Sequence, residues 1–584
     1  MCEKNTCHEL RNWKFTLDQT QYGLSAGWAT DGYDDSRWAD VQTCTAWETY
    51  EYAMQDYEGH GWFRTRYSGN RKNGYRHVLH FEGVGGSAQV YVNGRHVGGT
   101  DNRYLPFDID ITLSLKEKGD SVIAVLVDNS YRGLDHLPGA RTTEWVLYGG
   151  LTHRIWVEEK SGIFISGLRL DADADGSFRA VVGCENRNPL TVRYGFEGEL
   201  TLEVEGLPSL SFRQNVAIAY KESANITFEG KAENVKTWSP DSPNLYNVTV
   251  TLTGPDTYYE KLDRTGFRTI EVRGTDFYLN GEKLYLKGAN RYDEYAPYGN
   301  CPPEDVVRED LLKMKACGLN LVRTHYPQDE MHYRIADEVG IMYMIEVPIN
   351  WWFPTAEMPF SNFYGLAAEA VDCLDRTFQY FCNHPCWTVW SVGNECNHSY
   401  PACQEMFRML AARMRALNPR RLITYAANRP LLDSHELDFL DFIGMNYYSG
   451  ILSDNEGQFP EQLHGVLSKK LETAKKLYPN VPHVMTEFGY VGVYGIRGNG
   501  HEGRFTEDFG ATFLKADLAE FMTDENMRGM IIWCWADYRH RHGFYGGGMH
   551  LSATYGPYGI VTIDRKVKEP IWDVMQDFYK GWNP

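Results

Sequence analysis

The chain has 584 residues, too many for one hydrophobic core and a natural length for two to four domains. Hydrophobic residues make up 43% and charged residues 23%, the balance of a globular protein and not of a disordered or membrane-embedded one. A net charge of −20, from 78 acidic against 58 basic residues, argues against nucleic acid or an anionic membrane as the main partner.

The first residues, MCEKNTCHELRNWKF, contain no apolar stretch that could be a signal-peptide core, and no run of roughly 18 apolar residues occurs. A cytoplasmic protein is the simplest expectation, with its 12 cysteines kept as thiols. Cys382, Cys386, Cys396 and Cys403 raise the question of zinc, but their gaps match no familiar zinc spacing. They straddle an apolar strand and read as core thiols.

Roughly the first 270 residues read as all-β. HVLHFEGVGGSAQVYVNGRHVGG holds two β runs before Asn93-Gly94, the strongest short hairpin signal, and YLPFDIDITLSL and DSVIAVLVDN continue as short strands. Such spacing predicts a jelly-roll sandwich over residues 1–160. From GIFISGLRLDADADG to NLYNVTVTLTGPD the pattern predicts an immunoglobulin-like sandwich over 161–272. Strands then alternate with helices over 273–584. The strands are YLKGANRY, LNLVRTHY, IMYMIEVP, CWTVWSVG, LITYAANR, FIGMNYY, HVMTEFGY and MIIWCWADY. Eight such units predict a TIM (β/α)8 barrel, with PLLDSHELDFLD the weakest helix of the set.

Barrel chemistry sits at the C-terminal strand ends. CWTVWSVG is an apolar run that ends abruptly in Asn394 and Glu395, so Glu395 is expected at the mouth. Polar residues at the other ends are Asn290 to Asp293, Arg323, His325, Glu346, Asn446, Tyr448, Glu487, Trp533 and Asp537. No Gly-rich phosphate cradle follows any strand, and no lysine is placed for a Schiff base. Two glutamates across an aromatic-walled mouth suit glycoside hydrolysis, in which one carboxyl protonates the leaving oxygen and an ionised one attacks the anomeric carbon. A lone glutamate there could equally pair with Arg291 or Arg323.

The domain order, with SVGNE, MTEFG, GWFRTRY, YGGLTHRIWVE, GFRTIEV, GANRYDE and HYP, resembles glycoside hydrolase family 2 over almost the whole chain. That resemblance implies an exo-acting, retaining β-glycosidase in which Glu395 is the acid/base and Glu487 the nucleophile; no cofactor and no catalytic metal are expected, with a peripheral Mg²⁺ or Na⁺ left open. It further implies Asn394 on the sugar 2-hydroxyl, Tyr448 supporting the nucleophile, and Trp533 under the sugar ring. Glu144 of the first domain would reach the sugar hydroxyls, and Asp293 and His325 would line the glycone site. The expected partner is a β-glycoside, small or oligosaccharide, and the chain is expected to form a homo-oligomer.

Three departures from the family bear on the sugar. Tyr292 in NRYDE stands where the family usually has His, and RTHYP shortens the usual Arg-x-Ser-His-Tyr-Pro. The Asn-x-Lys by which β-glucuronidases clamp the substrate carboxylate is missing, since TYGPYGIV places Gly556, Pro557 and Tyr558 there. Yet Arg539 and Arg541 follow strand eight and Arg497 follows strand seven, and arginine grips a carboxylate bidentately. The leading expectation is a β-galacturonidase whose carboxylate partner is Arg539, Arg541, Arg497 or Tyr558. A β-glucuronidase and a β-galactosidase acting on a neutral sugar are the alternatives. A non-catalytic carbohydrate-binding protein would have no reason to carry both glutamates, and a metal-dependent hydrolase would need more ligands than His325 and Glu346 supply.

Overall fold

In a computed structural model of the chain, all residues are described except 1–5, 72–73, 135, 141, 189–194, 256, 355–359, 449–458, 464–465, 501–502, 543, 545–554 and 584. Eight parallel strands close into a barrel: β1 (Leu286–Asn290), β2 (Leu321–Thr324), β3 (Met342–Glu346), β4 (Trp387–Asn394), β5 (Leu422–Ala427), β6 (Ile443–Asn446), β7 (His483–Glu487) and β8 (Met527–Ile532). Seven of them lie within or overlap closely the runs read from the sequence, whereas β8 starts three residues before MIIWCWADY and ends at Ile532. β2 to β7 are buried along their whole length, because barrel strands face packed side chains within and helices outside.

Helices follow every strand except β5. The stretch Pro430–Phe442 forms turns instead. His435 N–H binds Asp433 Oδ1 at 2.8 Å and Leu432 N–H binds Glu436 Oε2 at 3.1 Å. These side-chain acceptors satisfy backbone donors that a helix would otherwise pair.

Two strands carry one extra residue beside a glutamate. On β4, Ser391 pairs with Thr424 and Asn394 with Ala426, three steps against two. On β7, Met485 pairs with Met445 and Glu487 with Asn446, two steps against one. Such bulges bend a strand and re-aim the side chains that follow. Just past the first bulge, Glu395 takes a left-handed backbone (φ 51°) and its side chain leaves the barrel wall for the mouth.

The N-terminal jelly roll packs a six-stranded sheet on a four-stranded one around Phe15, Trp47, Phe63, Leu79 and Val125. Its hairpin turns on Asn93 and Gly94, both at positive φ, as a two-residue turn requires. The immunoglobulin-like sandwich packs three strands on four. Its strand Ser177–Asn186 alternates half-buried and buried residues throughout. This sandwich meets the barrel where β4 begins: Arg268 donates to the carbonyls of Pro385 (2.7 Å) and Trp387 (2.6 Å). The jelly roll meets the opposite end, at the mouth, where Trp145 bridges to His540. No helix among the described residues is long and apolar enough to cross a membrane.

Candidate active site

At the mouth, the fully buried Arg323 of β2 organises four strand ends. Its Nη1 donates to Glu487 Oε1 (2.7 Å) and Asn290 Oδ1 (2.8 Å), and its Nη2 to Glu346 Oε2 (2.7 Å) and Asn394 Oδ1 (2.9 Å). Glu487 Oε2 accepts from Tyr448 OH at 2.8 Å. Burial, and then the charge of Glu487, push the Tyr448 phenol well above its usual pKa, so it remains a donor. Glu346 also accepts from Ser391 (2.7 Å) and contacts His325 Nδ1 (2.8 Å). Burial works to raise the Glu346 pKa, but Arg323 and His325 outweigh it and hold the carboxyl below its ordinary value. Glu346 therefore acts as the fixed anion that orients Arg323 and His325.

Glu395 has a different environment. Its Oε1 accepts from Asn446 Nδ2 (2.8 Å), and its Oε2 from Trp351 Nε1 (2.9 Å) and Asn428 Nδ2 (3.0 Å). The side chain keeps a partly exposed face at the mouth, with protein around the rest of it. That enclosure, and then the charge of Glu487, raise its pKa to about 8, against the opposing pull of Asn446, Trp351 and Arg323. A protonated acid thus stands across from a carboxylate held by a guanidinium and a phenol, an arrangement that can give a proton on one side and attack on the other.

Asn394 is largely consumed by the protein. Its Oδ1 takes Arg323 and Asn446, and its Nδ2 donates to Asn350 Oδ1 at 2.6 Å, leaving one amide N–H free. Aromatic rings wall the opening. Trp533 is buried, donates to Tyr538 OH at 3.1 Å and meets Tyr292 edge-on at 5.5 Å. Tyr292 OH is buried without a partner among the described residues. Glu144 reaches in from the jelly roll, accepts from Tyr538 OH and lies 3.6 Å from His540 Nε2. Tyr558 stacks on Tyr538, centroids 6.2 Å apart, and its hydroxyl makes no hydrogen bond among the described residues.

Five sequence-based candidates stand elsewhere or are engaged. Arg497 makes a bidentate surface pair with Asp508, both contacts 2.8 Å. Arg539 contacts Asp56 Oδ1 and the Gln55 carbonyl, each at 3.2 Å. Arg541 grips both oxygens of Glu58, with Thr142 Oγ1 at 3.1 Å. These guanidiniums face the protein's own carboxylates, which an acidic chain supplies in excess. Asp293 accepts from Tyr326 OH at 2.8 Å and lines a crevice of about 40 Å³ between jelly roll and barrel, together with Asp329, Gln328 and Tyr104. Asp537 is buried against Lys568 Nζ at 2.6 Å and anchors the loop after β8.

Sequence reasoning missed Trp351, Asn428 and Trp145. Trp145 stacks on His325 at 5.8 Å from the jelly-roll side. Trp351 and Asn428 lie in loops just past β3 and β5, where only their place near a strand end marks them. The described cysteines are all free thiols, with Cys382, Cys386, Cys396 and Cys403 buried in the core. Among the described residues, no group of three or more His, Cys, Asp or Glu is placed to hold a metal ion.

The chain matches family models over three consecutive stretches. Residues 30–159 match the glycosyl hydrolase 2 galactose-binding domain-like model, 163–268 the glycosyl hydrolases family 2 model, and 270–580 its TIM barrel domain. A β-galactosidase of Thermoanaerobacter pseudethanolicus is 32% identical over 62% of this chain and 48% of its own length. A β-glucuronidase of Paenibacillus borealis is 26% identical over 91% of this chain and 90% of its own. The chain spans about half the length of several of these curated relatives. In fold, it superimposes on a β-galacturonidase from Eisenbergiella tayi bound to galacturonate with a TM-score of 0.85, at 24% identity, covering 99% and 98% of the two chains. With a barrel model matched over more than half its residues and both flanking domains matched in order, the chain belongs to glycosyl hydrolases family 2.

Proposed function

We propose that the protein is a retaining exo-β-glycosidase that removes a terminal β-linked hexuronic acid, with β-galacturonide the leading substrate. The observation that carries the chemistry is the contrast between the two glutamates: Glu395 held protonated near neutral pH, Glu487 held by Arg323 and Tyr448. Glu487 Oε attacks the anomeric carbon as its bond to the leaving oxygen breaks, and Glu395 gives that oxygen its proton. The glycosyl ester neutralises Glu487 and so lowers the pKa of Glu395. The Glu395 carboxylate then takes a proton from the water that attacks the same carbon, which frees Glu487 and gives net retention.

The glycone rests on less. Tyr292 and Tyr558 offer hydroxyls that have no partner among the described residues, and phenols can donate to a carboxylate. The full-length likenesses, one to a protein bound to galacturonate and one to a β-glucuronidase, lean the same way. A specific observation favours a neutral β-galactoside instead: Arg539, Arg541 and Arg497 are all paired, and Glu144 adds a negative charge to the wall. Chromogenic β-galacturonide, β-glucuronide, β-galactoside and β-mannoside substrates separate these readings. The proposal expects β-galacturonide to be cleaved with the highest kcat/KM and its product to appear first as the β-anomer by NMR. A galactoside turned over equally well or better overturns the uronide reading, and an α-anomer overturns the mechanism.

A further inference from the structure

The acid side of the mouth carries two side chains that the chemistry above does not use. Glu395 Oε2 is held between Trp351 and Asn428. Two residues beyond Trp351, Phe353 is 40% exposed, and one residue beyond Asn428, Arg429 is exposed as well. The Arg429 guanidinium carbon lies 4.7 Å from the centre of the Phe353 ring. Arg429 forms no hydrogen bond or ion pair among the described residues, although the chain holds 78 acidic residues to 58 basic ones. Arg323, Arg539 and Arg541, also at or near the mouth, are each paired with a carboxylate.

A leaving group departs past the residue that protonates it, and on that side Trp351 and Asn428 hold Glu395, with Phe353 and Arg429 following them in the chain. Trp351 is itself fixed by stacking on Phe544, with centroids 5.6 Å apart and planes at 8°. A flat apolar ring beside a guanidinium that has no partner among the described residues matches a ligand with an apolar ring face and an anionic group. We propose that Phe353 and Arg429 form a leaving-group subsite that selects a sugar carrying a carboxylate or a sulfate. The natural substrate is then an acidic oligosaccharide whose second unit is charged. This subsite rests on the assignment of Glu395 as the acid in the function proposed above.

The test uses the full chain and the glycone identified with the chromogenic substrates, attached in turn to p-nitrophenol, a neutral hexose, a hexuronic acid and a sulfated hexose. Wild type should favour a charged over the neutral hexose leaving group by about fivefold or more in kcat/KM at low salt, as an exposed ion pair allows. The hexuronic and sulfated arms tell carboxylate from sulfate. Arg429→Ala should erase that preference while p-nitrophenyl hydrolysis stays within about twofold of wild type. Phe353→Ala should lower kcat/KM for all three sugar leaving groups, charged or neutral. Equal wild-type rates on charged and neutral leaving groups, or an equal loss on all substrates in Arg429→Ala, would overturn the subsite. Absence of turnover on every p-nitrophenyl glycoside would remove the glycosidase reading and the subsite with it.

Discussion

Replacing Glu487 by Gln should change the proton affinity of Glu395 as well as removing the proposed nucleophile. Two causes raise the Glu395 pKa to about 8, burial first and the Glu487 charge second. At the carboxyl separation of a retaining pair, about 5.5 Å, and an effective dielectric of about 20, the charge contributes roughly 3 kcal/mol. That is about two pKa units, reduced by water at the open face of the mouth. Loss of the charge stabilises the Glu395 carboxylate, so its pKa should fall from about 8 toward roughly 6, and by at least about one unit. The assay is a carbon-13 carboxyl titration of Glu487→Gln, with the Glu395 signal assigned by its loss in Glu395→Gln/Glu487→Gln. In the wild type, kcat/KM should decline as pH rises through about 8, because Glu395 is the acid only while protonated. If Glu395 still titrates near 8 in Glu487→Gln, burial alone sets its pKa. Neutralising Glu487 in the covalent intermediate could not then turn the acid into a base.

Pre-steady-state kinetics with a nitrophenyl glycoside should separate the two glutamates. Glu487→Gln should show neither burst nor turnover, whereas Glu395→Gln should retain the burst and release product slowly; equal loss of the burst in both contradicts the assigned roles. Trp351→Phe removes a donor that favours the Glu395 carboxylate, so the basic limb of the pH–rate profile should move upward by about one unit and deglycosylation should slow roughly tenfold. An unmoved limb would mean that Trp351 does not act on Glu395. Arg541→Ala should cost about 1 kcal/mol of stability by thermal denaturation and leave the ratio of β-galacturonide to β-galactoside activity within about twofold. A selective loss of about tenfold or more on the uronide would restore Arg541 as a carboxylate clamp.

The sequence made the barrel legible because a parallel strand buried on both faces is a near-continuous apolar run, and eight such runs stand in order. It made Glu395 legible for the same reason, since nothing polar leads up to it. The turns in place of a fifth helix follow from residues that favour local side-chain bonds, Asp433 and Glu436, inside a pattern already weak for a helix. What could not be read depends on distant pairing. Arg539 and Arg541 look like free cations until the structure sets them against Asp56 and Glu58, each 483 positions away. The bulges on β4 and β7 are features of register, which a single strand's sequence does not carry. Trp351 takes a left-handed backbone (φ 53°), which no periodicity announces for a tryptophan.

The mouth is built from stretches made far apart in time. Asp56, Glu58, Glu144 and Trp145 leave the ribosome hundreds of residues before Tyr538, Arg539, His540 and Arg541, which they eventually touch. Domains generally fold as units during synthesis, the N-terminal one first. The jelly roll can therefore be complete while Glu58 and Glu144 still face solvent, two negative charges awaiting partners. The loop after β8 brings those partners, so the mouth closes around these carboxylates only once β8 and its loop have been made. Truncation before residue 538 would leave Asp56, Glu58 and Glu144 without these partners at the mouth.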